Sequence, residues 1–105
     1  MDITFKTKKL EKYANKDRSG DLTFKKFNIR VKQLRISKTL EDVRNLSGRF
    51  HELKADRKGQ WACDLDHPRR LIFRPRENPT PMSEDGIYIW SEIKGVEILE
   101  ITDYH

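Results

Sequence analysis

A chain of 105 residues is the length of one domain, expected over 1–105, and its 35% hydrophobic and 37% charged residues allow only a small core, although Trp61, Trp90 and five phenylalanines exclude full disorder. The net charge of +5 is unevenly divided: residues 1–76 carry 21 Lys and Arg against 10 acids, whereas 77–105 carry Lys94 against seven, so a body of +11 precedes an end of −6. The body favours polyanionic partners, the lone Cys63 excludes an internal disulfide, and no apolar run suits a signal peptide or membrane span, which points to the cytosol and away from membranes.

"DITF" at 2–5 alternates and predicts a short first strand. Leu10, Tyr13 and Ala14 share one helical face, "RSGD" at 18–21 ends that helix at Gly20, and Asp21 is placed to cap the next. Phe24, Phe27, Val31 and Leu34 then recur at steps of three, four and three, an amphipathic helix with Lys25, Lys26, Arg30, Lys32 and Arg35 largely off its apolar stripe. Such a stripe is core packing rather than a ligand site. Ser37 or Thr39 caps a short turn that Gly48 stops.

Beyond Gly48 the pattern changes to strands: "RFHELK" at 49–54, "QWACDLD" at 60–66 and "RRLIFR" at 69–74, with "DHP" at 66–68 short enough for a hairpin link. "PRENPTPMSEDG" at 75–86 holds three of the four prolines and reads as an excursion from the sheet. "IYIW" and "VEILEIT" supply the remaining strand material, the latter apolar on both faces as in an interior strand. Two N-terminal helices followed by a strand meander give an α+β domain, the helices packed on one face of a small, mainly antiparallel, curved sheet.

Three pieces, in order, carry a resemblance. His51, Leu53, Lys54, Asp56, Arg57, Gly59 and Trp61 follow the pattern His-x-Leu-Lys-Gly-Asp-Arg-x-Gly-x-Trp, with Ala55 at its glycine. Arg70 and Phe73 match Trp-Arg-Ile-x-Phe, with Arg69 at its aromatic, and the chain ends on Asp103, Tyr104 and His105 as the pattern does. Together they resemble the HigB branch of the RelE/ParE superfamily, toxins of bacterial type II toxin-antitoxin pairs also termed plasmid maintenance killer proteins.

The resemblance implies a RelE-like fold with its site on a concave sheet face, and a ribosome-dependent mRNA endonuclease. It also implies a HigA-like DNA-binding antitoxin as partner, alongside ribosome and mRNA, with operator DNA reached only through the toxin-antitoxin complex.

RNA is cleaved without a metal or cofactor when its own 2′-hydroxyl attacks the adjacent phosphate. That step needs a base at the 2′-oxygen, an acid at the leaving 5′-oxygen, and cations around the phosphate. His51, Asp103 and His105 are the candidate proton carriers and Lys54 and Arg70 the candidate phosphate clamps, with His51, Arg70 and Asp103 on three strand-like segments about 4.8 Å apart if adjacent. Asp103 or His51 would take the 2′-proton and His105 would protonate the leaving group.

Lys54, Arg57 and Lys58 are candidate RNA-binding cations, and Tyr104 can stack on an unpaired base, although strand alternation turns it away from Asp103 and His105. On pattern alone His51 is a surface histidine, Arg70 an ordinary strand arginine, and 56–59 a turn; the ordered motifs favour the site. Trp61 reads as core, and His67, in the hairpin link, is left out of the site. No pair of histidines has a metal-ligand spacing. Two other functions remain open: a ParE-like inhibitor of DNA gyrase lacking nuclease chemistry, and a basic RNA-binding module without turnover.

Overall fold

The computed structural model describes residues 1–15 and 20–103; Tyr104 and His105 lie outside the described residues, as do Arg18 and Ser19 of "RSGD". The elements run β1 (Asp2–Phe5), α1 (Lys8–Asn15), α2 (Leu22–Ile36), β2 (His51–Glu52), β3 (Trp61–Asp64), β4 (Arg69–Pro75) and β5 (Gly95–Asp103), with short 3₁₀ turns at Leu40–Asn45, Ala55–Arg57 and Trp90–Glu92. The five strands form one mixed sheet in the order β1-β5-β4-β3-β2. All neighbours are antiparallel except β1 and β5, which run parallel. The expected α+β architecture is present.

Asp21 caps α2, its carboxylate accepting from the Phe24 amide at 3.2 Å. Thr39 opens the following turn with a capping box closed by Asp42. The apolar stripe of α2 buries Phe27, Val31 and Leu34 in the main core, beside Leu40, Val43 and the sheet residues Trp61, Cys63, Leu71, Phe73, Val96 and Ile98. α1 adds Leu10, Tyr13 and Ala14 at its margin, where the Tyr13 ring meets Phe24 and Phe27 edge-on at 5.6 and 5.1 Å.

Three expectations need correcting. Segment 87–90, "IYIW", is not a strand: Tyr88 makes one isolated bridge to Met82 before the 3₁₀ turn at Trp90–Glu92. The neighbouring position it could have filled beside β5 is taken by β1, and its aromatics instead stack on each other, with Trp90 packed perpendicular to Trp61 at 5.4 Å. The strand expected over 49–54 shrinks to His51–Glu52, because Arg49 at φ 54° breaks extension before it and the turn at Ala55–Arg57 begins soon after it. Arg30 is not on the solvent face of α2 but buried, 8% exposed.

Pairing across the sheet divides its side chains between two faces. Trp61–Phe73–Ile98 and Cys63–Leu71–Ile101 point to the helices. His51–Ala62–Ile72–Glu100 and Asp64–Arg70–Thr102 point away from them. A register shift between Ile72 and Phe73 leaves Leu99 as the extra residue of β5 and adds it to a second small cluster with Ala62, Ile72 and Leu53. This bulge gives β5 its apolar residues on both faces.

Candidate active site

The site is built on the face turned away from the helices. Its floor is the Ala62, Ile72 and Leu99 cluster, and its charged groups stand at the end of the sheet where β3 turns into β4. His51, on the short edge strand, is held by its own backbone: Nδ1 lies 2.6 Å from the carbonyl oxygen of Arg49. A carbonyl only accepts, so Nδ1 carries the proton and, in the neutral ring, Nε2 is left as the acceptor. Facing Nε2 at 3.4 Å is Nη1 of Arg70, a guanidinium that can only donate. Both contacts select the same tautomer, and they bring together two residues that are 19 positions apart in sequence.

The loop before His51 is fixed from beneath by Arg30. Its Nε donates to the Asp64 carbonyl at 2.7 Å, and its Nη1 to Gln33 Oε1 at 3.0 Å and the Ser47 carbonyl at 3.3 Å. Gly48, at φ +112°, lets the chain lie against this guanidinium; a Cβ there would come within 2.6 Å of it. Arg49 follows in the left-handed region, at φ 54°, so its carbonyl is aimed at the imidazole by a conformation that L-residues adopt at a cost. Sequence reading missed Arg30 and Arg49. The available signal was the position of Arg30, three residues after Phe27 and four before Leu34, on the apolar face.

The other expected site residues are distributed differently. Asp103 pairs with Arg69, not Arg70, so it lies on the helix side of the sheet, its carboxylate 3.9 Å from Arg69 Nε. Thr102 takes the position beside Arg70. The structure thus brings His51 and Arg70 together and sets Asp103 at the opposite face of the same sheet end. Tyr104 and His105 lie outside the described residues.

Arg57 reaches over the open face, donating to Gln60 Oε1 at 2.9 Å and Glu100 Oε1 at 3.3 Å. Lys54 and Lys58 line a separate cavity of about 260 Å³ with Ala55, Gly59 and Tyr88, the Lys58 ammonium 5.9 Å from the Tyr88 ring centroid. Trp61 is fully buried, under the guanidinium of Arg44 at 4.8 Å, and so cannot act as a base-stacking platform.

Ala55, the residue standing at the glycine of the sequence pattern, has φ 56°. The turn therefore needs the left-handed conformation that glycine adopts freely. Cys63 is buried, and burial pushes its thiol well above the ordinary range, which keeps it inert as a nucleophile. Among the described residues no three His, Cys, Asp or Glu side chains converge as a metal site, and no helix is long and apolar enough to cross a membrane.

No family model and no curated protein sequence matches the chain. Solved structures do. A YoeB/ParE toxin from Agrobacterium tumefaciens superposes with a TM-score of 0.62 at 14% identity, all of both chains being covered. The YoeB-YefM complex from Staphylococcus aureus gives 0.61 at 19%, and the YoeB dimer from the same organism 0.58 at 20%, each covering 100% of this chain and 97% of the other. At these identities the likeness concerns the fold: helices on a five-stranded mixed sheet, shared over the full length with toxins of the YoeB/ParE type.

Proposed function

We propose that the chain is the toxin of a type II toxin-antitoxin pair, an endoribonuclease of the HigB branch that cuts mRNA on the ribosome and so stops translation. The observation that carries this reading is the His51 imidazole, its Nδ1 against the Arg49 carbonyl and its Nε2 facing the Arg70 guanidinium at 3.4 Å on the open face of a YoeB/ParE-type fold. A base beside a phosphate-binding cation is the pairing that 2′-hydroxyl attack requires.

In the proposed step Nε2 of His51 takes the 2′-proton while the 2′-oxygen bonds to phosphorus. The bond from phosphorus to the 5′-oxygen breaks, giving a 2′,3′-cyclic phosphate and a 5′-hydroxyl. Arg70 would hold the nonbridging oxygens as charge builds, and His105 would give the leaving oxygen its proton, while Asp103, on the other face of the sheet, takes no proton in this step. RNA supplies its own nucleophile, so no metal or cofactor enters. Lys54, Arg57 and Lys58 would hold the flanking strand and Tyr104 would stack on a base. The partner would be a HigA-like DNA-binding antitoxin, the complex reaching operator DNA through it, with the toxin acting in the cytoplasm.

Cell-free translation with purified chain, run beside a gyrase supercoiling assay, tests the reading. Translation should stop at toxin concentrations far below that of mRNA while supercoiling is untouched. Inhibited supercoiling with normal translation would place the chain with gyrase inhibitors, and RNA binding without arrest would leave a binding module. Co-expression of the adjacent antitoxin should restore growth.

A further inference from the structure

The hairpin joining β3 to β4 encloses a cavity of about 150 Å³ that the proposed cleavage step does not use. Its walls include Arg49, Asp64, His67, Pro68, Arg69 and Arg70, so one carboxylate lines it among three arginines and a histidine. Arg70 is therefore shared: it faces His51 and also walls this cavity. Three arginines and a histidine against one acid, Asp64, give this lining a positive balance that suits an anion with several oxygens, since a guanidinium presents a rigid fork of donors.

The acid in the wall, Asp64, and those beside it leave that capacity usable. Arg49 meets Asp64 at 3.6 Å, longer than a hydrogen bond, with its side chain 79% exposed, so the pair is easily exchanged. Arg69 is held by Asp66 through Nη1 at 2.9 Å, with Asp103 at 3.9 Å from Nε. These contacts orient Arg69 at the cavity wall and engage only part of its donor fork.

We propose that this cavity is a second phosphate subsite, taking the RNA backbone phosphate next to the scissile one, with Arg49, His67 and Arg69 as its ligands and Arg70 bridging the two. The inference rests on the nuclease reading of His51 and Arg70. It assigns His67, set aside on sequence grounds, a place in substrate binding. It also gives Arg49 two tasks: its carbonyl fixes the His51 ring and its side chain grips the strand.

Binding of a fluorescently labelled short RNA, with 2′-deoxy at the cut position so that it cannot be cleaved, is measured by anisotropy against salt for the native chain and for Arg49→Gln, Arg69→Gln and the double variant, with Lys32→Gln on α2 as control. Losing one single-strand phosphate contact should lower the slope of log affinity against log salt by about 0.7. The double variant should fall no further than either single one, because one phosphate is lost in each, and His67→Gln should weaken binding several-fold.

Unchanged slopes, equal losses in Lys32→Gln, stepwise loss in the double variant, or no RNA binding by the native chain would each overturn the subsite. Subsite-dependent binding by a chain that never cleaves would retain the subsite and remove the nuclease reading. Cleavage by the native chain with unaltered variant slopes would do the reverse.

Discussion

The two faces of the sheet are made by the same strands and serve opposite ends. Toward the helices, Trp61, Phe73, Leu71, Cys63 and Ile98 are fully buried beneath α2 and form a core in which aromatic rings carry much of the area. Away from the helices Ala62, Ile72 and Leu99 form one small buried cluster, and around it stand His51, Arg70, Arg57 and Glu100. One face holds the molecule together, and the other spends its side chains on charge. Stability and chemistry should therefore be separable by substitution, although neighbouring residues of one strand serve both.

The largest test is on the covered face. Trp61→Ala should destabilise the fold by about 3–5 kcal/mol in urea melts, a large share of the stability of an ordinary small domain. On the other face, Arg70→Gln should leave the melt within about 0.5 kcal/mol of native while cleavage falls by roughly 10²–10³-fold. An Arg70→Gln chain that unfolds would erase the contrast.

Arg30→Met sharpens the comparison, because Arg30 reaches from the core to the carbonyls under the site. It should cost about 1–3 kcal/mol and reduce cleavage as well, through the loop carrying Arg49 and His51. The smallest effect is a gain: Ala55→Gly should stabilise by about 0.5–1 kcal/mol, since Ala55 holds φ 56°. A loss there would mean that the turn carries no strain.

The fold was legible because its signals are local. The steps between Phe24, Phe27, Val31 and Leu34, the Asp21 cap, and the alternation of Trp61, Cys63 and Leu65 each depend on a few adjacent residues. "IYIW" misled because alternation says nothing of whether a neighbouring strand position is vacant, and β1 held the place beside β5. In the site, ordered motifs marked His51 and Arg70, which the structure joins.

Register, by contrast, could not be read. One residue of offset turns a side chain to the other face, which is why Asp103 is paired with Arg69 and lies apart from Arg70. Arg49 was hidden for a similar reason: its part is played by a carbonyl and a left-handed φ, neither of which depends on an arginine side chain.

The central claim is that the open face cleaves RNA with His51 as base. Primer extension on mRNA bound to programmed ribosomes, comparing the native chain with His51→Ala at equal folded concentration, tests it most directly. Discrete cuts that require ribosomes are expected, weakened by about 10²–10⁴-fold in His51→Ala. Cuts of equal strength and position from His51→Ala would contradict it, because the residue that the Arg49 carbonyl and Arg70 guanidinium hold between them would then have no part in the reaction.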